Sequence, residues 1–123
     1  MPLRHHSLVA WQRADDLFLE LHRLTRTAFP EHERFELGSQ TRRAAYSVAA
    51  NIVEGCARDH QRERLQYLNT ARASLAEVGY CLHVAKRLEY LDQNEFDRFD
   101  LSLRKASAAL NGFISSVRNG VAP

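Results

Sequence analysis

Arg43, Ser47, Asn51, Glu54 and Arg58 recur at steps of four, four, three and four residues, and on a helix that spacing sets five polar side chains along one stripe. The hydroxyl and carboxamide suit helix-to-helix hydrogen bonding, the carboxylate suits ion pairing or acid–base work, and guanidinium groups suit carboxylates, phosphates and protein interfaces. Arginine dominates the cations, since only Lys86 and Lys105 among the 17 basic residues are lysine. Between residues 42 and 72, Arg42, Arg43, Arg58, Arg62, Arg64 and Arg72 meet only Glu54, Asp59 and Glu63, a local positive excess in a chain whose net charge is +2. Such a segment reads either as a mixed-charge face laced with salt bridges or as a phosphate-binding patch. In the second reading the nucleic-acid-binding residues are Arg42, Arg43, Arg58, Arg62 and Arg64.

The other reactive side chains are scattered. No glutamate carries a histidine three residues later, which removes the Glu-x-x-His pairs of a di-iron bundle. HExxH, GxSxG, P-loop and GxGxxG patterns are all missing, so zinc proteolysis, serine hydrolysis and nucleotide-phosphate binding lack their motifs. Cys56 and His60 stand close enough in sequence to pair across a turn, but no third orienting group accompanies them. Cys56 and Cys81 form neither a CxxC nor a disulfide framework and read as small buried thiols. We therefore expect no metal, no cofactor and no enzymatic activity. No window approaches the roughly 18 apolar residues of a membrane span, and the start MPLRHHS lacks a signal-peptide core. A cytoplasmic protein without membrane contact is the corresponding expectation.

The elements that must position these groups are helical. In the first, Ala10, Ala14, Leu17, Leu21, Leu24 and Ala28 advance by alternating fours and threes, widened by Trp11 and Phe18. After the turn-like FPEHERFELG, a second helix buries Ala45, Val48, Ala49, Ile52 and Cys56 and is expected to end at Gly55 in a left-handed cap. Asp59 is expected to cap a third helix with the seam Leu68, Ala71, Leu75, Val78, Leu82 and Ala85. Asp92 and Glu95 make a capping box flanked by the staple residues Leu91 and Phe96, so the fourth helix starts near Gln93 and runs through Phe99, Leu103, Ala106, Leu110, Phe113 and Val117, before the stop NGVAP. Helices over about residues 8–28, 36–55, 60–90 and 93–118, joined by short connections, predict an all-α, antiparallel up-down-up-down four-helix bundle forming one domain. The second helix raises a difficulty, because Ala44, Ala45, Tyr46, Val48, Ala49, Ala50, Ile52 and Val53 leave the polar stripe narrow. A helix apolar around most of its girth is buried on more than one side, which a lone bundle does not provide. Copies of the chain are expected to associate through it.

QTRRAAYSVAANIVEG (residues 40–55) followed by ARASLAE (71–77) resembles the four-helix bundle family associated with intervening sequences in bacterial 23S ribosomal RNA genes. The pieces LVAWQRADDL, FPEHERFEL and LEYLD occur in the matching order, so the resemblance covers roughly residues 8–117. Ala49 stands where relatives often have proline and Ala73 where they often have glycine, both of which favour straighter helices here. The resemblance implies closed homopentamers, no enzymatic activity and, through the allied accessory proteins of diversity-generating retroelements, an RNA or DNA partner beside a reverse transcriptase. It also marks Ser47, Asn51, Glu54, Ser74 and Glu77 as a polar cluster across the hairpin of the second and third helices. Arg72 is expected to join that cluster, seeking Glu54 or Glu77 if buried. Three functions follow: a nucleic-acid-associated ring using arginines near the junction of these helices, a protein scaffold docking a partner such as the polymerase, and a metal-dependent hydrolase using Glu54 or Glu77.

Overall fold

The structure, a computed structural model, describes residues 4–120; the expectations for residues 1–3 and 121–123 lie outside them. A single 3-10 turn, Arg4–Ser7, leads into α1 (Val9–Thr27), a second one (Glu31–Glu33) into α2 (Leu37–Ala57), and two long helices follow, α3 (Gln61–Arg87) and α4 (Gln93–Arg118). Consecutive helices pack side by side and α1 closes against α4, the arrangement of an up-down-up-down four-helix bundle. Among the described residues no helix is long and apolar enough to cross a membrane.

The core is the set of stripes that periodicity marks out. Leu17, Leu21, Ile52, Leu68, Leu82 and Leu110 are sealed from solvent, joined by Val48, Val78, Phe99 and Ile114. Alanines at Ala10, Ala14, Ala44, Ala45, Ala71, Ala85 and Ala106 are buried between them, so the helices approach closely. Ala49 and Ala73 lie inside unbroken helices, as replacements for helix-breaking residues should.

The helix ends correct the sequence reading in three places. Gly55 does not terminate α2, which continues to Ala57, with Arg58 extended behind it. A Cβ at Gly55 would lie 3.3 Å from the Arg64 carbonyl oxygen and 3.3 Å from Leu68 Cδ2, so the glycine serves the close crossing of α2 and α3 rather than a left-handed turn. Asp59 is not the cap of α3; His60 holds that position, and its side chain makes no capping bond. The third helix stops at Arg87, before residue 90, because Glu89 takes a left-handed conformation (φ 65°). The Tyr90 N–H donates to the Ala85 carbonyl and the Glu89 N–H to the Lys86 carbonyl, a Schellman closure built without its usual glycine. At α4 the capping box is present in full, Asp92 Oδ1 accepting from the Glu95 N–H at 2.8 Å and Glu95 Oε1 from the Asp92 N–H at 3.1 Å.

Candidate nucleic-acid interface

The α2–α3 hairpin carries every predicted residue of the candidate site, and one side-chain bond ties the two helices near the middle of α2. Ser47 Oγ and Ser74 Oγ lie 2.8 Å apart. Asn51 Nδ2 donates to Ser47 Oγ at 3.0 Å and to the Ser47 carbonyl at 2.8 Å, and either serine hydroxyl can be the donor to the other. Ser47, Asn51 and Ser74 thus form a half-buried polar clamp, and this part of the predicted cluster comes together. Glu54 does not join it; its carboxylate accepts from Arg58 Nη2 at 3.1 Å, one turn along its own helix. Arg72 is exposed and donates to Asn69 Oδ1 at 2.8 Å rather than to Glu54 or Glu77, so no buried guanidinium calls for either carboxylate.

The five candidate arginines do not form one patch. Arg42 and Arg43 sit near the start of α2, Arg58 just beyond its end, a rise of about 24 Å at 1.5 Å per residue. Three of the five are committed to the scaffold. Arg42 donates to Thr25 Oγ1 at 3.0 Å and to the Arg34 carbonyl at 2.8 Å, tying the end of α1 and the connection after it to α2. Arg58 reaches Glu54 and Tyr67, donating to the phenol oxygen at 2.9 Å while its guanidinium lies 4.9 Å from the ring centre. Arg64 Nε donates to the Arg58 carbonyl at 2.8 Å, where α2 presents its unsatisfied carbonyls and the negative end of its dipole. Arg43 and Arg62 are exposed.

Sequence reasoning missed two arginines that share the end holding Arg58, Arg62 and Arg64. Arg4 Nη1 donates to the Cys56 carbonyl at 2.9 Å, folding the first 3-10 turn against the last turn of α2. Arg118 arrives at the C-terminus of α4, whose Val117 and Arg118 carbonyls both accept from Gln61 Nε2. Neither was visible as part of the patch because each is more than 50 residues from its partner. Missed as well were the buried polar residues His5, Thr25, Glu33 and Thr41. Glu33 receives the Tyr90 hydroxyl at 2.7 Å and the Leu37 N–H at 3.3 Å, so it closes the start of α2 from outside the helix. Its hydrogen bond to Tyr90 raises the phenol above its ordinary pKa.

Little here favours nucleophilic chemistry. Cys56 and Cys81 are both buried and burial raises both thiols above their usual pKa, the opposite of an activated nucleophile. His60 is exposed at the mouth of α3, whereas Cys56 faces the core. Among the described residues no three histidine, cysteine or acidic side chains gather into a possible metal-binding group.

Helix order, close alanine packing and a polar hairpin clamp define an antiparallel four-helix bundle of small size. The family model for the 23S rRNA-intervening sequence protein matches residues 6–112, and the chain belongs to that family. It is similar in fold to the crystal structure of a protein of unknown function from the S23 ribosomal protein family of Bacteroides thetaiotaomicron, with a TM-score of 0.80 and 21% identity over 86% of this chain and 98% of that one. Comparison with curated protein sequences finds no match.

Proposed function

We propose that this protein is a non-enzymatic, oligomeric bundle that associates with RNA or DNA through the arginine-rich end at the α2–α3 junction. The observation that carries this reading is the gathering of Arg4, Arg58, Arg62, Arg64 and Arg118 at one end of the bundle, against Glu54, Asp59 and Glu63. The Arg58–Glu54 pair cancels one charge of each sign, and the remaining four arginines against two carboxylates leave the field there positive. Oligomerisation is supported by α2, where Tyr46 is 61% exposed and Ala49, Ala50 and Val53 remain half-buried in a single chain. The family's implied five-fold ring would present the arginine cluster five times around one axis, turning weak single contacts into useful affinity for a long polyanion.

The test is binding of RNA and DNA duplexes of unrelated sequence as a function of salt, with mass in solution followed by light scattering. Arg58 and Arg64 hold the scaffold together, so the informative variant is Arg62→Gln with Arg118→Gln. We expect that variant to keep its mass and to lower the slope of log affinity against log salt by about 0.9 for each B-DNA phosphate that it no longer neutralises. Salt-insensitive binding, or an unchanged slope, removes the proposed interface. A second reading, a scaffold that docks a protein such as a reverse transcriptase, draws on the exposed rings of Phe35 (82%) and Tyr80 (68%). Capture of a polymerase that survives high salt and is abolished by Phe35→Ser or Tyr80→Ser would favour it.

A further inference from the structure

The Arg4–Ser7 turn buries one residue, and that residue is a histidine. His5 is 7% exposed and lies edge-on to Trp11 of α1 with ring centres 4.8 Å apart, while Arg4, His6 and Ser7 are exposed. A single 3-10 turn holds itself poorly, so its place depends on what docks it. Gln12 Nε2 of α1 donates to the His6 carbonyl at 2.8 Å, and Arg4 Nη1 donates to the Cys56 carbonyl of α2 at 2.9 Å; the packing of His5 supplies the rest. A proton on His5 places a cation where burial and the neighbouring His6 both disfavour it, with Asp15 of α1 as the opposing carboxylate. The turn itself adds Arg4, and α2 brings the Cys56 thiol, around which the charges are those of Arg64 and Arg4.

Closed, the turn commits Arg4 to the last turn of α2, within the end that also carries Arg58, Arg62, Arg64 and Arg118. Opened, it becomes a short arm on which Arg4, His5 and His6 follow one another, three cations that a phosphate backbone neutralises and a basic surface repels. Resting on the nucleic-acid reading above, we propose that the Arg4–Ser7 turn is a proton-operated arm, shut while His5 is neutral and swung out onto the phosphates at the arginine-rich end when His5 is protonated. Proton and polyanion then favour the same open state, so each strengthens the binding of the other.

Trp11, the only tryptophan of the chain, reports the turn directly. In the protein alone its emission is expected to shift to the red as pH falls from about 7.5 to about 5.5, with helicity by circular dichroism unchanged, and to stay in place in His5→Phe, whose ring docks without titrating. Arg4→Ala, which removes the tie to Cys56, is expected to move the midpoint of that shift to higher pH. Binding of a DNA duplex over the same pH range reads the contacts of the arm. The slope of log affinity against log salt is expected to steepen by about 0.9 for each phosphate the arm neutralises, up to about 2.7 for all three cations. His5→Phe is expected to keep only the part owed to His6 and to His60, which is exposed at the same end. An emission that does not move, or that moves equally in His5→Phe, overturns the arm. An emission shift as expected, with a salt slope that responds to pH equally in His5→Phe and in the unaltered protein, means that the arm opens without meeting phosphate and overturns the coupling. No duplex binding at any pH, with the emission shift intact, overturns the nucleic-acid reading and the proposed use of the arm, while its opening stands.

Discussion

The two ends of the α2–α3 hairpin use the same residue types to opposite effect. At the junction end, guanidinium groups of Arg4, Arg58 and Arg64 are bound to carbonyls, a carboxylate and a phenol, and Gln61 fastens the last turn of α4. At the groove end, where Arg43, Tyr46 and Glu77 line an open groove, Arg42 is engaged in the same manner, yet Arg43, its neighbour in sequence, and Glu77 stand open. An arginine's role in this molecule is set by the direction its helix gives it: residues one apart are turned about 100° from each other, enough to separate a tie from a surface charge.

Substitutions at both ends put that contrast to the test. The largest effect is expected at the seam both ends share: Leu68→Ala removes a sealed side chain beneath Gly55 and should cost about 2–5 kcal/mol in urea unfolding, loosening both ends at once. Gly38→Ala acts at the groove end alone. Its Cβ would lie 2.9 Å from the Glu33 backbone oxygen, so about 1–3 kcal/mol of destabilisation is expected. The control Gly112→Ala, with nothing within 4 Å of the new methyl in α4, should instead gain up to about 1 kcal/mol.

Arg42→Gln against Arg43→Gln separates the two neighbours. At protein concentrations too low for assembly, the first should cost about 1–2 kcal/mol because two hydrogen bonds go with the guanidinium, and the second should stay within about 0.5 kcal/mol of the unaltered chain. Equal destabilisation would erase the distinction. Glu89→Gly relieves a left-handed residue and should add about 0.5–1 kcal/mol to thermal stability, without moving the Tyr90–Glu33 bond.

The smallest effect concerns pH at the junction end. His5 is buried against Trp11, and its pKa is lowered from 6.5 by burial and by His6, against an opposing pull from Asp15. The folded state then holds this proton less readily than the unfolded chain, so stability from the docked 3-10 turn is present above about pH 7 and falls as pH drops through 6.5. Hydrogen exchange at the Leu8 amide, which donates to the His5 carbonyl, should quicken between about pH 7.5 and 5.5 relative to an exposed reference amide, while the groove end shows no such change.

Much of the fold was legible in the residues because a helix writes its buried face at a fixed interval. The stripe from Leu68 to Ala85 and the box at Asp92 follow from local spacing alone. Gly55 was misread because glycine at a helix end and glycine at a close crossing leave the same mark in a sequence, and only the approach of Leu68 tells them apart. The left-handed Glu89 carried no signal, since its residue type disfavours that conformation. Of the candidate site, Ser47 and Asn51 were legible from their spacing along one helix, whereas Ser74 opposite them entered through the family resemblance, which also named Glu54 and Glu77 and did not separate them from the three that meet. The ties of Arg4 to Cys56 and of Arg42 to Thr25 join separate elements, and no periodicity within one helix encodes them.

Arg4 rests on Cys56, and Gln61 holds the carbonyl of Arg118, so the first and last turns of the described chain are both moored to the short stretch from Cys56 to Gln61. A circularly permuted chain, with residues 4 and 118 joined by a short flexible peptide and new ends opened between Glu31 and Glu33, should therefore recover the same bundle, and in the unpermuted chain a fluorophore pair placed near residues 4 and 118 should report high energy transfer until the bundle unfolds.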